Sequence, residues 1–266
     1  MSAGGFLGHV SVLILTYNEE ANIGRTLKAL AAFPEVVVLD SGSTDATVEI
    51  AKTFANTRVE TRSFDTHAAQ WNHGLTQCRI ATPWVLALDA DYVVPDALAR
   101  EIAALAPPPE IAGYRTSFRY CVAGRPLSGS LYPPVTTLFR RVGARYAQTG
   151  HTQRILAPGD VATLHHPIHH DDRKPLSRWL VAQQNYARLE AEHLLTLPQE
   201  ALGWSGKIRL WAWPAPLLVF FYALVWKRCL FDGWPGWFYA LQRMAAETMI
   251  ALEIIDRRLG KASLAP

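Results

Sequence analysis

Strand-like runs alternate with helical patterns along the first hundred residues of the chain. The predicted strands occupy positions 10–15, 36–39, 58–61 and 84–88. Between the first two, Ile23, Leu27 and Leu30 recur at the spacing of an amphipathic helix. Apolar strands that alternate with helices are typical of a parallel sheet covered on both faces. The pattern therefore predicts an α/β fold.

Polar residues follow three of these strands at the point where each strand ends. They are Thr16, Asn18 and Glu19 after the first, Asp40 and Ser41 after the second, and Asp89 and Asp91 after the fourth. Ligands of open parallel sheets bind outside the carboxyl ends of the strands. We therefore expect these residues to converge on a binding cleft.

The rest of the chain divides into two parts of different composition. Short alternating segments between about 113 and 164 predict antiparallel strands or a loop-rich cover, followed by a helix from 175 to about 197. Tryptophan is concentrated after that point. We predict a main domain over 1–200, with halves at about 10–106 and 110–200, and a Trp-rich helical extension over 204–266.

Charge and cysteine content exclude some classes of protein. The 26 basic and 23 acidic residues leave a net charge of +3, which is too small to indicate a nucleic-acid partner. Cys78, Cys121 and Cys229 have neither metal-site nor redox spacing, so we expect free thiols in a reducing, cytoplasmic compartment. No basic region precedes the first strand, and we predict no secretory leader.

The aspartates of Asp89-Ala90-Asp91 suit a hard divalent cation. Mg²⁺ or Mn²⁺ bound to such carboxylates keeps positions open for substrate phosphates. The alternative is a pair of solvated turn residues or a helix N-cap before Pro95. The metal site is favoured because the pair ends a buried strand beside two other polar strand ends.

Four motifs in this order resemble a known family. They are Thr16-Tyr17-Asn18-Glu19-Glu20, Asp40-Ser41-Gly42-Ser43-Thr44-Asp45, Gln70-Trp71-Asn72 and Asp89-Ala90-Asp91. Together they resemble the family-2 glycosyltransferases of the GT-A fold, in the subgroup similar to bacterial lipopolysaccharide-core β-1,4-glucosyltransferases. The resemblance implies a Rossmann-like mixed sheet flanked by helices, a nucleotide-sugar donor such as a UDP-sugar, a divalent metal (Mn²⁺ or Mg²⁺) and inversion at the anomeric carbon.

The resemblance also assigns expected roles by position. Asp40 would hydrogen-bond the base or ribose, Asp89 would lie near the ribose and diphosphate, and Asp91 would hold the metal, with Asp89 beside it. The other expected nucleotide-sugar contacts are Thr16, Asn18, Glu19, Ser41, Gln70, Asn72 and Ala90. Structural alternatives stay open, since Asn18 or Glu20 could cap the first helix, Ser43 or Thr44 the second, and Asp40 could brace its own turn.

The sequence departs from the subgroup at two places. Tyr92 stands where an acidic residue is common, and the His-Glu pair of such enzymes is replaced by His151-Thr152. Thr152 cannot serve as a base, so the residue that deprotonates the acceptor is left open. A catalytically inactive glycan-binding or assembly subunit of the same fold is therefore one alternative. A nucleotidyltransferase is another, although the first strand lacks a Gly-rich phosphate loop.

A second polar cluster spans 165–174. His170 could complete the metal site, Arg173 and Lys174 could bind the diphosphate, and Asp171 or Asp172 could act as the general base, with His151 as the other candidate. A solvated loop before a helix explains the same residues structurally. An all-histidine zinc site is less favoured, because adjacent histidines on an extended chain point to opposite sides.

The Trp-rich end carries an uncharged segment over 210–226. It is slightly shorter than the ~20 residues that span a bilayer, and Arg209, Lys227 and Arg228 flank it. We predict helices lying on the cytoplasmic membrane surface, so that the protein is peripheral or monotopic on the inner membrane, next to a glycan or lipid-linked acceptor. A buried core helix or a dimer face is the alternative.

Overall fold

The computed structural model describes residues 5–149 and 152–262. The strands are β1 (Val10–Thr16), β2 (Glu35–Asp40), β3 (Thr57–Thr61), β4 (Trp84–Asp89), β5 (Tyr92–Val93), β6 (Ile111–Thr116), β7 (Phe118–Val122), β8 (Arg125–Pro126), β9 (Val135–Arg140), β10 (Arg145–Thr149), β11 (Thr152–Leu156), β12 (Asp160–Thr163) and β13 (Ile168–His170). The helices are α1 (Ile23–Ala29), α2 (Thr47–Lys52), α3 (His67–Gln77), α4 (Asp96–Ala103), α5 (Leu176–Thr196), α6 (Trp204–Leu210), α7 (Pro214–Phe221) and α8 (Trp234–Ala262).

The chain forms two compact units. The first extends to Gly124 and continues over Tyr132–Arg173, and the second contains Arg125–Leu131 and everything from Lys174 onward. This division follows packing within the chain. The functional division expected at about residue 200 stays a prediction.

A seven-stranded mixed sheet organises the first unit. Its strand order is β12-β6-β9-β4-β1-β2-β3, with β4, β1, β2 and β3 mutually parallel and β9 antiparallel to both of its neighbours. The four parallel strands correspond to the four runs predicted from the sequence. The predicted α/β class, a mixed sheet flanked by helices, is confirmed.

Alternate residues of β1 enter two hydrophobic cores. Val12 and Ile14 join the core under α1 and α4, whereas Leu13 joins the core under α3. The helix α3 lies so close to β1 that a Cβ at Gly74 would come within 2.6 Å of the Leu13 side chain. This two-sided burial explains why the strands are almost entirely apolar.

A smaller sheet lies beside the carboxyl end of β4. In it β13 pairs antiparallel with β5 and parallel with β7, so that His170 is the register partner of both Tyr92 and Tyr120. The second polar cluster of the sequence is thereby brought next to the aspartates of the first. The segment between 113 and 164 also contains the antiparallel strand pair β10 and β11.

The second unit is mostly helical. Ala187 and Leu194 of α5 pack against Ile250 and Ile254 of α8. Arg209 of α6 joins the same two helices, donating to Glu190 at 2.9 Å and to Glu247 through two guanidinium nitrogens. The helix α7 continues through a π-helical turn, Tyr222–Trp226. Within 5–149 and 152–262, no helix has the length and apolarity that crossing a membrane requires.

Candidate active site

The polar strand ends meet along one edge of the main sheet. In the parallel pairing, Thr16 lies opposite Asp40, and Leu15 lies opposite Asp89. The last residues of β1, β2 and β4 therefore form a single row, as expected from the sequence. This row is the floor of the candidate site.

The loops after β1 and β2 are hydrogen-bonded to each other. The Asn18 N–H donates to Ser43 Oγ at 2.8 Å, and the Thr44 N–H donates to Asn18 Oδ1 at 2.7 Å. Asn18 adopts a positive φ of 54°, a conformation that asparagine tolerates better than most residues. Within the described residues, the cap positions of α1 and α2 are Asn22 and Ala46, and neither gives a side-chain cap. The capping considered from the sequence is therefore absent: α1 is not capped by Asn18 or Glu20, and α2 is not capped by Ser43 or Thr44.

Asp40 is buried and braces the turn that follows it. Its Oδ2 accepts from the Gly42 and Ser43 N–H groups at 2.9 and 2.8 Å, and its Oδ1 accepts from Ser43 Oγ at 2.5 Å. Gly42 has a φ of +90°, which glycine adopts without strain. The bracing role is thus present, and contact of Asp40 with a nucleotide stays a prediction.

Gln70 and Asn72 are occupied by contacts within the protein. Gln70 is fully buried, donates to Ser41 Oγ and to the Arg62 carbonyl, each at 3.0 Å, and accepts from the Arg62 guanidinium. Asn72 donates to the Tyr146 carbonyl at 2.9 Å and accepts from the Tyr146 N–H at 2.8 Å. These bonds explain both amides structurally and attach α3 to the site edge and to β10.

Asp89 lies among groups that disfavour its charge. Desolvation by the surrounding protein, and next the negative charge of Asp91, raise the pKa of Asp89 to about 6. Asp89 is nevertheless exposed to water. The surrounding protein therefore desolvates it as the floor of an open cleft, and not by enclosing it in the core. Burial, and next the negative charge of Asp89, keep the pKa of the Tyr92 phenol far above its usual value. A neutral phenol therefore stands beside the first aspartate of the motif, where an acidic residue is usual.

Asp91, in the turn between β4 and β5, contacts His170 of β13. The Asp91 Oδ2 and His170 Nε2 atoms are 3.2 Å apart, and the two side chains are 13% and 11% exposed. Burial by itself lowers the pKa of His170, but the charge of Asp91 and this hydrogen bond outweigh it and raise the pKa. The sequence placed both residues in one metal site, and the structure brings them together.

Three tyrosines surround the His170 ring. Tyr92, Tyr120 and Tyr132 meet it edge-on, with ring centroids 5.1, 4.9 and 4.9 Å away. Tyr120 and Tyr132 also stack on each other. The His170 Nδ1 atom is buried and has no hydrogen-bond partner within the described residues. Packing by aromatic rings, and not a hydrogen bond to the second nitrogen, thus fixes the orientation of the imidazole.

Asp171 is held on both of its carboxylate oxygens. Arg173 donates to it through two nitrogens, each at 2.8 Å, and the Gly124 N–H donates to Oδ1 at 3.1 Å. Arg25 of α1 adds an ion pair at 3.6 Å. Such a forked arginine–carboxylate pair is geometrically specific. Asp171 was predicted as the base and Arg173 as a diphosphate ligand, but the two side chains bind each other. Their ion pair, together with the Gly124 hydrogen bond, is called the clip around Asp171 below.

Asp172 lies in a different environment. It is partly exposed and accepts from Asn22 Nδ2 at 2.9 Å, while the same Asn22 nitrogen donates to Glu19 Oε2 at 2.7 Å. Asn22 thus connects Asp172 to the loop after β1. His151 lies outside the described residues, and Lys174 begins the second unit, so their predicted roles stay predictions.

The histidines at the start of the second cluster belong elsewhere. The His165 and His166 N–H groups donate to Glu101 of α4 at 2.7 and 2.9 Å. Within the part of the chain that is described, no group of three or more His, Cys, Asp or Glu side chains gathers at metal-binding distance. Among the described residues, neither the histidine run nor the predicted set of Asp89, Asp91 and His170 forms such a group, and of that set only Asp91 and His170 are in contact.

Several residues of the site carry no local signal in the sequence. Tyr120, Tyr132, Asn22 and Arg25 reach it only because the small sheet and α1 meet there. Asn22 is 150 positions from Asp172, and Arg25 is 146 from Asp171. Such contacts follow from strand pairing and not from a motif.

The family profile described as "Glycosyl transferase family 2" matches residues 11–149. This is more than half of the chain and includes the strand ends that carry Thr16, Asp40, Asp89 and Asp91. The chain belongs to glycosyl transferase family 2. The expected resemblance is thus confirmed, and the mixed sheet described above is the predicted GT-A class.

Two curated relatives are similar over part of their length. The lipopolysaccharide core biosynthesis glycosyltransferase LpsC of Rhizobium meliloti (strain 1021) is 34% identical over 139 residues, which are 50% of this chain and 48% of LpsC. The uncharacterized glycosyltransferase RT0209 of Rickettsia typhi is 36% identical over 94 residues, which are 35% of this chain and 31% of that protein. The matches therefore span about half of LpsC and less than a third of RT0209.

Two solved structures are similar to the chain at low identity. S. aureus TarS 1-349 in complex with UDP-GlcNAc is 17% identical, with a TM-score of 0.49, over 94% of this chain and 92% of that one. Glucosyl-3-phosphoglycerate synthase of Mycobacterium tuberculosis, crystallised with Mn²⁺, UDP and glucosyl-3-phosphoglycerate, is 18% identical, with a TM-score of 0.44, over 68% and 78%. The family assignment rests on the sequence match alone.

The clip around Asp171 gives a prediction about stability. We expect Asp171→Ala to lower the free energy of unfolding by about 2 kcal/mol, because it leaves two arginines without their carboxylate. Asp172→Ala, which removes an acceptor from a more exposed position, should cost less. Urea denaturation of the two variants measures this difference. Equal midpoints for Asp171→Ala and the parent chain would contradict the structural role.

Asn72 gives a second prediction. Asn72→Ala should destabilise the chain by about 1–3 kcal/mol, because it leaves the N–H and C=O groups of Tyr146 without partners. Gln77→Ala, at an exposed position of the same helix, is the matched control and should leave the urea midpoint unchanged. If Asn72 instead binds the nucleotide-sugar donor, Asn72→Ala will weaken UDP binding and leave the urea midpoint unchanged. That result would contradict the structural role.

Proposed function

We propose that this family 2 chain is a metal-dependent, inverting glycosyltransferase. It would move a sugar from a nucleotide-sugar donor, most simply a UDP-sugar, to an acceptor of the bacterial envelope. The observation that carries the proposal is that Asp89 ends β4 in the row of parallel strand ends, with Asp91 two residues later and in contact with His170 of β13. That edge is where open α/β sheets bind their ligands.

The donor would lie along the row of strand ends. Thr16, Asp40 and Ser41 border the row at β1 and β2, and the Thr16 hydroxyl is buried without a hydrogen-bond partner in the described residues. To bind the nucleotide, Asp40 would have to accept a hydrogen bond from the base or ribose in addition to those it accepts from its own turn. The bonded loops after β1 and β2 supply a rigid wall on which the nucleotide can be oriented.

The residues present suit a divalent cation such as Mn²⁺ or Mg²⁺. Asp91 Oδ2 and His170 Nε2 are already neighbours, and Asp89, two residues away, carries a pKa raised partly by the Asp91 charge. A concentration of negative charge of this kind is relieved by a cation. Two protein ligands, Asp91 and His170, would also leave positions for diphosphate oxygens, as Mg²⁺ and Mn²⁺ sites commonly do. An ion bound there would neutralise the negative charge that develops on the departing diphosphate.

The chain's own residues would supply the base. Asp172 is the better candidate of the two aspartates, because Asp171 has both oxygens engaged by Arg173 and Gly124. Asp172 would take the proton of the acceptor hydroxyl. The hydroxyl oxygen then attacks the anomeric carbon from the face opposite the diphosphate, the bond to the diphosphate breaks, and the configuration inverts. His151 is the second candidate.

The acceptor is proposed to be a glycan or a lipid-linked saccharide. The relative LpsC is described as an enzyme of lipopolysaccharide core biosynthesis, which supports an envelope acceptor for this chain. An acceptor of that kind lies at the cytoplasmic face of the inner membrane, where a peripheral or monotopic protein would meet it. The exposed tryptophans of the second unit support the same location.

The metal role gives a prediction about donor binding. We expect UDP to bind with Mn²⁺ and weakly without it, and Asp91→Asn to abolish the Mn²⁺ dependence. Removing even a residue that only orients a metal ligand costs about 10- to 100-fold in metal affinity, so the loss should be at least about tenfold. Isothermal titration of UDP with and without Mn²⁺ measures it.

Asp96→Asn is the matched control for this experiment. Asp96 is an exposed aspartate at the start of α4, outside the row of strand ends, and its substitution should leave UDP binding as it is. Binding that is equally strong in Asp91→Asn would remove Asp91 from the metal site.

The base gives a separate prediction. Asp172→Asn should retain Mn²⁺-dependent UDP binding but lose transfer and the slow hydrolysis of the donor by about 10²- to 10⁴-fold. Release of UDP from a UDP-sugar measures both reactions. Full turnover in Asp172→Asn would exclude it as the base, and UDP binding without any turnover in the parent chain would favour an inactive glycan-binding subunit.

A further inference from the structure

The second unit exposes an unusual number of large apolar side chains. Phe231 is 80% exposed, Trp226 76% and Trp234 86%, and further exposed residues of this type lie between them. Single exposed apolar side chains are ordinary, but a contiguous set marks a surface that meets another apolar phase. The question is whether these residues form one face.

Two of the helices each carry exposed apolar side chains in a stripe along one side. On α7 the exposed residues Leu217, Leu218 and Phe221 fall within one side of the helix. On the first turns of α8, Trp234, Trp237 and Phe238 recur at positions i, i+3 and i+4. These six residues are called the apolar face below.

The two stripes are adjacent in space. The helices α7 and α8 pack against each other within the second unit. Phe220 at the edge of one stripe contacts Trp237 of the other, with ring centroids 6.1 Å apart. The helices α7 and α8 also carry the buried residues Ala215, Tyr239 and Ala240, which face the interior of the unit. The six residues of the apolar face are exposed instead.

The charged residues near the apolar face indicate what kind of partner this face binds. Residues 204–242 contain four basic side chains and one acidic side chain. Arg209 is engaged by two glutamates, and the acidic Asp232 accepts from the N–H and hydroxyl of Ser128. Lys207, Lys227 and Arg228 remain as the basic rim of the uncharged segment. Tryptophan next to lysine and arginine is the composition of a membrane–water interface, and the cations favour anionic headgroups.

We infer that the apolar face is the surface by which the chain lies on an anionic lipid bilayer, with α7 and the start of α8 in the plane of the interface. This deepens the membrane location in the proposed function and rests on it. A helix lying in the interface buries its apolar side among the acyl chains and keeps its cations at the headgroups. Contact of this kind involves one leaflet of the bilayer.

The experiment uses the full chain and vesicle flotation. We compare vesicles of phosphatidylcholine with vesicles of equal parts phosphatidylcholine and phosphatidylglycerol. The parent chain should float with the anionic vesicles and less with the neutral ones. Phe221→Ser and Trp234→Ser should each weaken flotation by about tenfold or more, because each removes a large side chain from the acyl region.

Two further variants separate apolar from electrostatic contact. Lys227→Gln with Arg228→Gln should weaken binding to the anionic vesicles by roughly fivefold per cation, and should abolish the preference for them. Val142→Ser changes an equally exposed apolar residue of the first unit, 75% exposed, and should leave flotation unchanged.

The outcomes distinguish this inference from the proposed function. UDP titration and light scattering are performed on every variant. A chain that binds UDP but floats with neither kind of vesicle would overturn the inference and the proposed membrane location, and would leave the proposed glycosyltransferase activity standing. A dimer in solution that Trp234→Ser converts to a monomer, without flotation of the parent, would also overturn it, because the face would then be a protein interface.

Discussion

Parallel pairing of β4, β1 and β2 is the constraint on which the site depends. Because Thr16 pairs with Asp40 and Leu15 with Asp89, the three strands end at the same level and their polar residues form one row. The apolar residues before those ends are buried on both faces of the sheet. A slip of one residue would exchange the faces of a whole strand. The hydrophobic core thus holds the carboxylates in place, and the short apolar run before Asp89 has a function beyond packing.

The second half of the site depends on that first half. The strand β13 pairs with β5, directly after Asp91, and so carries His170 to the carboxylate. The Asp171 N–H donates to the Asp91 carbonyl at 3.0 Å, and Arg25 and Asn22 of the first helical segment bind the chain that follows. Asp171 is thereby made an anchor, whereas Asp172 stays partly exposed. Two neighbouring residues of identical chemistry thus have different environments.

Local patterns could predict the parallel strands, the cleft at their ends and the family, because each is written in a few consecutive residues. Asp91 beside His170 was also expected. Other features depend on pairing between distant segments. Of the tyrosines around His170, Tyr120 comes from β7 and Tyr132 from the segment before β9. The distant partners of Asp171 are Arg25 of α1 and Gly124. Gln70 and Asn72 were expected at the donor from the resemblance, but their amide groups are bonded within the protein. A motif gives a position in the chain, and the side chain's partners depend on the tertiary structure.

The central claim is that the row of strand ends binds a nucleotide diphosphate through a metal at Asp91. The most direct measurement is a crystal structure of the chain with UDP and Mn²⁺, with anomalous scattering used to locate the manganese. We predict one anomalous peak beside the carboxylate of Asp91, with the diphosphate next to it and the nucleoside along the ends of β1 and β2. UDP bound elsewhere, such as in the cavity beside Trp84 and Arg140 at the opposite end of β4, would contradict the account. UDP bound at the row with no manganese at Asp91 would contradict the metal role.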